Sequence, residues 1–169
     1  MQRCAGFTLI EILVVLTVLG IVLAFGVPSY SAFIQNGHIR SVSESIVDGL
    51  NLARMEAVNR NERVEFNLDG ANWTIDVPAS GERVHNHSGA GSAGTVSVSA
   101  AGSQSLSIAF NALGRITSGN AATVVTIGTQ VGECMPLGAM RCLRVQLSTS
   151  GRVRMCDPNL QANDPQACA

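Results

Sequence analysis

The chain has 169 residues, of which 46% are hydrophobic and only 14% charged, enough for one packed domain plus an appendage and too apolar for a disordered chain. A net charge of −1 excludes a globally basic nucleic-acid binder and leaves only local patches to consider. With 4% aromatics, the core must be built from Val, Ile, Leu and Ala.

The first element lies in "GFTLIEILVVLTVLG", residues 6–20, where Glu11 opens an otherwise apolar run. From Ile12 to His38 no charged side chain occurs apart from that histidine. Residues 7–28 would extend about 33 Å as a helix, enough to cross a bilayer core, so a transmembrane helix is predicted over 7–30. A carboxylate inside such a span costs roughly 2.5–3.5 kcal/mol at mid-membrane. Two readings leave Glu11 without a role. One is a secretory signal peptide, with Arg3 as its basic region and "AFG" at 24–26 as a cleavage site. The other is an ordinary signal anchor.

Gly6, Phe7, Thr8, Leu9, Ile10 and Glu11 resemble the class III leader junction of type IV pilins and type II secretion pseudopilins. The resemblance implies that residues 1–6 are a leader, that a prepilin peptidase cuts between Gly6 and Phe7, and that Phe7 is then N-methylated. Cleavage would create a cationic amine on Phe7, four residues from Glu11 and on the same helical face. Between neighbouring subunits in a filament, a buried amine–carboxylate pair would set the register, the best-attested use of such pairs. Gly20 and Gly26 permit close helix approach, and Pro28 predicts a kink or local melting.

An amphipathic continuation of the helix is predicted over 31–60. Ile39, Val42, Ile46, Leu50, Ala53 and Ala57 recur at spacings of three and four, a stripe that should face a globular core. Near Asn61 the period changes to two. "RVEFNL" and "NWTIDV", separated by "DGA", read as a hairpin. "VHNHSGAGSAGTVSVSAAGSQSLSIAF" mixes Gly/Ser-rich breaks with short strand-like pieces, and "ATVVTIG", "CLRVQLS" and "GRVRMC" are further strand candidates. The fold class is therefore α+β: a long, partly transmembrane N-terminal helix packed on an antiparallel β-rich head over 61–169.

Chemical motifs are scarce. Gly89, Gly91 and Gly94 spell G-x-G-x-x-G, but no helix follows and no acid lies between Glu82 and Glu133 to hold a ribose, so a surface loop is the better reading. His85 and His87 form H-x-H without a third ligand at suitable spacing. Trp73 reads as packing. No nucleophile is paired with a base. No enzyme activity, cofactor, metal or small-molecule substrate is expected.

The chain has no lysine, and its arginines are unevenly placed. Between Arg115 and Cys156 lie Arg115, Arg141, Arg144, Arg152 and Arg154 against a single acid, Glu133, giving a local charge of +4. In "LRVQLSTSGRVRMC", alternation turns Leu143, Val145, Leu147, Val153 and Met155 inward and Arg144, Arg152 and Arg154 outward. Such a face suits phosphate, or equally an edge hairpin that repels further strands. "ALGRITSG" and "STSGRVRM" each place Gly-Arg-branched aliphatic after a short turn, at Gly114–Arg115 and Gly151–Arg152. Cys134, Cys142, Cys156 and Cys168 suit two disulfides in an oxidising compartment. Three pairings are open, with the local pairs 134–142 and 156–168 favoured.

Helix, strand run and Gly-Arg turns together resemble the FimT/FimU minor pilins and the related GspH pseudopilins. The resemblance implies a minor pilin, anchored by one span in the bacterial inner membrane with its head in the periplasm, and incorporated into the pilus at the cell surface. Its partners would be other minor and major pilins and the prepilin peptidase. In pilins of the FimT type a C-terminal Gly-Arg-x-Arg motif is associated with capture of double-stranded DNA in natural transformation, and Gly151, Arg152, Val153 and Arg154 match it. Arg115, Arg141 and Arg144 join that site by charge alone. The alternative is a structural or pilus-priming subunit, or a secretion pseudopilin, without DNA binding.

Overall fold

The computed structural model describes residues 7–89, 94–100, 102–118 and 123–168, the side chains of 25–29, 118 and 123 excepted. The leader, including Gly6, and the middle of the 89–94 glycine stretch lie outside the described residues. The chain divides into two compact units, 1–34 and 35–169.

Helix α1 runs Leu9–Arg60 without interruption. The local melting expected at Pro28 does not occur, because a proline withholds only its own N–H while the neighbouring helical bonds persist. Thr8 caps the start: its Oγ1 accepts the backbone N–H of Glu11 at 3.3 Å, placing Glu11 third in the first turn, where a carboxylate favours the helix dipole. The helix stops in a Schellman motif. Asn61 takes φ +53°, its N–H reaches the Val58 carbonyl, and Glu62 N–H reaches that of Ala57. Among the described residues, no helix is long and apolar enough to cross a membrane.

In the unit 35–169, nine strands follow the helix among the described residues: β1 (Val64–Asp69), β2 (Asn72–Val77), β3 (Glu82–His87), β4 (Val96–Ala100), β5 (Ser105–Phe110), β6 (Ile116–Ser118), β7 (Thr123–Thr129), β8 (Leu143–Leu147) and β9 (Val153–Cys156). They form two antiparallel sheets, in the orders β3-β2-β1-β5-β6 and β4-β7-β8-β9. Alternation located most of the strands but none of their partners, and it missed β3, which takes up His85 and His87 where a loop was expected. The chain enters the second sheet at β4, returns to the first at β5, and crosses again at β7.

The helical stripe is buried as its spacing requires. Ile39, Ile46, Leu50, Ala53 and Ala57 pack with Phe66, Ile75, Ile108, Phe110, Ile127 and Val145 in one core. Gly49 lets the helix approach the sheet, since a Cβ there would lie 2.8 Å from both Phe66 and Trp73. Gln35, buried, donates to the Thr95 carbonyl at 2.6 Å and to Thr129 Oγ1 at 3.2 Å, tying the helix to the second sheet. Among the described residues, every buried hydrophobic one lies between Ile39 and Ala167. The unit 35–169 thus carries a core of its own, the condition for folding without the first 34 residues.

Candidate nucleic-acid interface

Strands β8 and β9 present the arginine-rich hairpin. Val145 and Leu147 are buried on the inner face, which sends Arg144 and Gln146 outward. In the register Arg154 lies opposite Gln146, and Arg144 opposite Cys156 and Thr126. Arg152 ends the turn and directly precedes β9. Ser148 shapes that turn. Its carbonyl accepts Gly151 N–H at 2.8 Å, and its Oγ accepts Arg152 N–H at 3.1 Å.

A second turn, before β6, has the same construction. The Asn111 carbonyl accepts Gly114 N–H at 2.8 Å, and Asn111 Oδ1 accepts Arg115 N–H at 3.0 Å. In both turns a polar side chain holds the N–H of an arginine four residues on, and a positive-φ glycine sits directly before that arginine, at +70° for Gly114 and +80° for Gly151. Such turns are the usual work of Asn, Ser and Gly.

The two turns abut. Ile116 N–H points to the Thr149 carbonyl at 3.4 Å, and a Cβ on Gly151 would run into the Gly114 carbonyl oxygen. Arg54 of α1 lies against both: a Cβ on Gly114 would be 2.9 Å from its Nε, and one on Gly151 3.3 Å. Arg115 and Arg152 therefore stand at one junction with a third arginine from the helix. Sequence reasoning recorded the echo between the turns but missed Arg54. The only signal for it was the absence of any acid three or four residues away.

The remaining arginines of the patch are engaged. Arg141 donates through Nη2 (2.9 Å) and Nε (3.2 Å) to Oδ2 of the buried Asp157. Arg154 Nη2 donates to the carbonyls of Pro165 and Ala167, both at 2.8 Å. Both arginines hold the C-terminal tail, which is pinned by the Cys156–Cys168 disulfide; Cys134–Cys142 closes the loop before β8. The favoured local pairing is the one present. Asp157 completes the tail by donating its N–H to the Gln166 carbonyl at 2.8 Å. Among the described residues, no ion pair or side-chain hydrogen bond engages Arg115, Arg144 or Arg152.

The weaker motifs take ordinary roles. His85 lies 3.6 Å from Glu56, and His87 stacks on Trp73 at 5.3 Å. Trp73 is buried and donates to Ser45 Oγ. No group of metal-ligating side chains forms among the described residues.

Comparison with known proteins agrees with this architecture. The profile described as Type II transport protein GspH matches residues 42–151, from the amphipathic helix to the second Gly-Arg turn. The chain belongs to the GspH family. Residues 1–27 of this GspH-family chain also match the prokaryotic N-terminal methylation motif. The type IV major fimbrial protein FimA of Dichelobacter nodosus (strain VCS1703A) is 37% identical over 78 residues, 46% of this chain and 41% of that protein. Another Dichelobacter nodosus FimA is 33% identical over 81 residues, 48% of this chain and 44% of that protein. The chain thus spans less than half the length of the curated relatives it matches. The crystal structure of the type IV minor pilin FimU of Pseudomonas aeruginosa superposes with a TM-score of 0.57 at 21% identity, covering 81% of this chain and 99% of that one. The fold is that of a type IV pilin.

Proposed function

We propose that this GspH-family chain is a minor pilin of a type IV pilus that binds double-stranded DNA without sequence preference at the end of its head. Residues 7–30 anchor it in the inner membrane, the prepilin peptidase cuts between Gly6 and Phe7 and methylates Phe7, and Glu11 pairs with the new amine of a neighbouring subunit. Other major and minor pilins are its filament partners. The observation that carries the DNA reading is the junction of the two Gly-Arg turns, where Arg115 and Arg152 are both exposed and, among the described residues, unpaired with any acid; Arg144, also exposed, lies four residues before the second turn on β8. Guanidinium forks suit phosphate oxygens. Gly151 serves the site by shape, allowing the turns to meet. Arg154 and Arg141 add field to the site, while part of their donor capacity holds the tail. Uptake of DNA in natural transformation is the role such a subunit would have.

The test is a salt titration of DNA binding by the head from residue 35. Each phosphate contact adds about 0.9 to the slope of log K against log salt. Wild type should show a steep slope, which Arg152→Gln/Arg154→Gln flattens. Equal slopes for the two proteins would remove the DNA site. The match to a type II transport family favours a second reading, a secretion pseudopilin without DNA binding, and a wild-type head that ignores DNA at low salt would select it.

A further inference from the structure

We propose that Arg54 is a direct phosphate ligand: together with Arg115 and Arg152 it forms a three-guanidinium anion site at the junction of the two turns. This rests on the DNA reading and deepens it, because neither the charge run of 115–156 nor the Gly-Arg-x-Arg motif includes a residue of the helix. Four observations converge. Arg54 lies against both glycines, which places it between the two turns that deliver Arg115 and Arg152. Its side chain makes no ion pair or hydrogen bond among the described residues, although it is only half exposed. Its neighbours at three and four residues, Leu50, Asn51, Ala57 and Val58, are all uncharged. Glu56, an acid two residues on, faces elsewhere and is engaged by Arg60 at 2.9 Å and by His85.

The turns themselves offer no compensation. Residues 111–118 and 148–156 contain no acid. Their glycine and arginine N–H groups at 114, 115, 151 and 152 are closed onto Asn111 and Ser148, so backbone donors are spent. What remains at the junction is guanidinium. A half-buried cation beside two others is disfavoured until an anion joins it, and a tetrahedral phosphate oxygen cluster matches several planar donor forks at once. The ligand is thus a phosphate group, from a DNA backbone or free in solution. Arg54 also fixes the site to α1, so the phosphate is held between helix and head loops rather than by one hairpin alone.

The test follows the arginine Nε–Hε signals of the head from residue 35 by NMR during titration with a short DNA duplex and, separately, with inorganic pyrophosphate. Expected are shifts at Arg54 together with Arg152 in both titrations. Arg54→Met, which keeps the aliphatic stem over the glycines, should leave Tm unchanged and lower the DNA salt slope by about 0.9; Arg54→Lys should restore the slope. If Arg152 responds to DNA while Arg54 does not, or if Arg54→Met keeps the full slope, the assignment of Arg54 is overturned and the DNA reading stands. If DNA moves no arginine signal but pyrophosphate moves Arg54, the DNA reading falls and the anion site stands. Silence in both titrations ends both.

Discussion

Gly151→Ala tests whether the two Gly-Arg turns meet as described. Gly151 sits at φ +80°, where an L side chain costs about 1–2 kcal/mol. Its new Cβ would also enter the space of the Gly114 carbonyl, with Arg54 at 3.3–3.4 Å behind it. The Gly114 carbonyl cannot yield freely, because that turn is closed onto Asn111 through the N–H groups of Gly114, Arg115 and Leu113. Overpacking against such a wall adds roughly 1–3 kcal/mol. Together the two effects predict a loss of about 2–5 kcal/mol, which lowers Tm by roughly 8–20 °C for a head of about 135 residues. Gly70→Ala is the matched control. Its φ is +57°, and open space surrounds a Cβ there, so only the backbone cost of about 1–2 kcal/mol applies. Thermal and urea unfolding of the two variants measure the difference. A Gly151→Ala head as stable as the Gly70→Ala head would refute the contact between the turns and, with it, the convergence of Arg54, Arg115 and Arg152. Arg152→Gln, by contrast, should leave stability within about 0.5 kcal/mol.

Arg154→Gln should loosen the tail. Loss of two bonds to carbonyls lowers head stability by about 1–2 kcal/mol and speeds amide exchange over 158–168, whereas Arg152→Gln leaves those amides protected. Acid should destabilise the head through two carboxylates. Hydrogen bonding to Arg60 holds Glu56 below its ordinary 4.5 against opposing desolvation. Burial pushes Asp76 up, but bonds from Arg83, Thr74 and Asn67 outweigh it and leave it below its ordinary 3.8. Their stabilisation is complete above those ordinary values and is lost as pH falls through the lower folded-state values. Unfolding followed from pH 5 downward should steepen below about pH 4.5, and Glu56→Gln/Asp76→Asn should flatten that fall. Glu11→Ala should leave membrane insertion intact and impair incorporation into filaments, read by the amount of the subunit in sheared pili; normal incorporation would remove the registry role.

Periodicity made much of the head legible. The helical stripe from Ile39 to Ala57 is buried residue for residue, and the change of period after residue 60 coincides with the Schellman stop at Asn61. Alternation also located β1, β2 and β8, each with one buried face, and β9, where half-buried Val153 and Met155 flank exposed Arg154. Division into two sheets was not legible, since antiparallel strands of equal hydrophobicity carry no label for their partners. In the site, sequence placed Arg144 outward and noticed the twin turns. It could not foresee that Arg154 and Arg141 spend donors on the tail, because the tail's return depends on a disulfide and on buried Asp157. Nor could it place Arg54, which lies some sixty residues before the nearer turn. Thr8-x-x-Glu11 was readable as a capping pattern, but the leader motif drew attention to Glu11 alone.

The mature N-terminus tests the whole account most directly. Mass spectrometry and N-terminal sequencing of protein recovered from its native cell should find N-methylated phenylalanine at position 7, the amine that gives Glu11 a partner and the helix a place in a filament. A chain beginning at Val27, or one retaining residues 1–6 in assembled fibres, would contradict it.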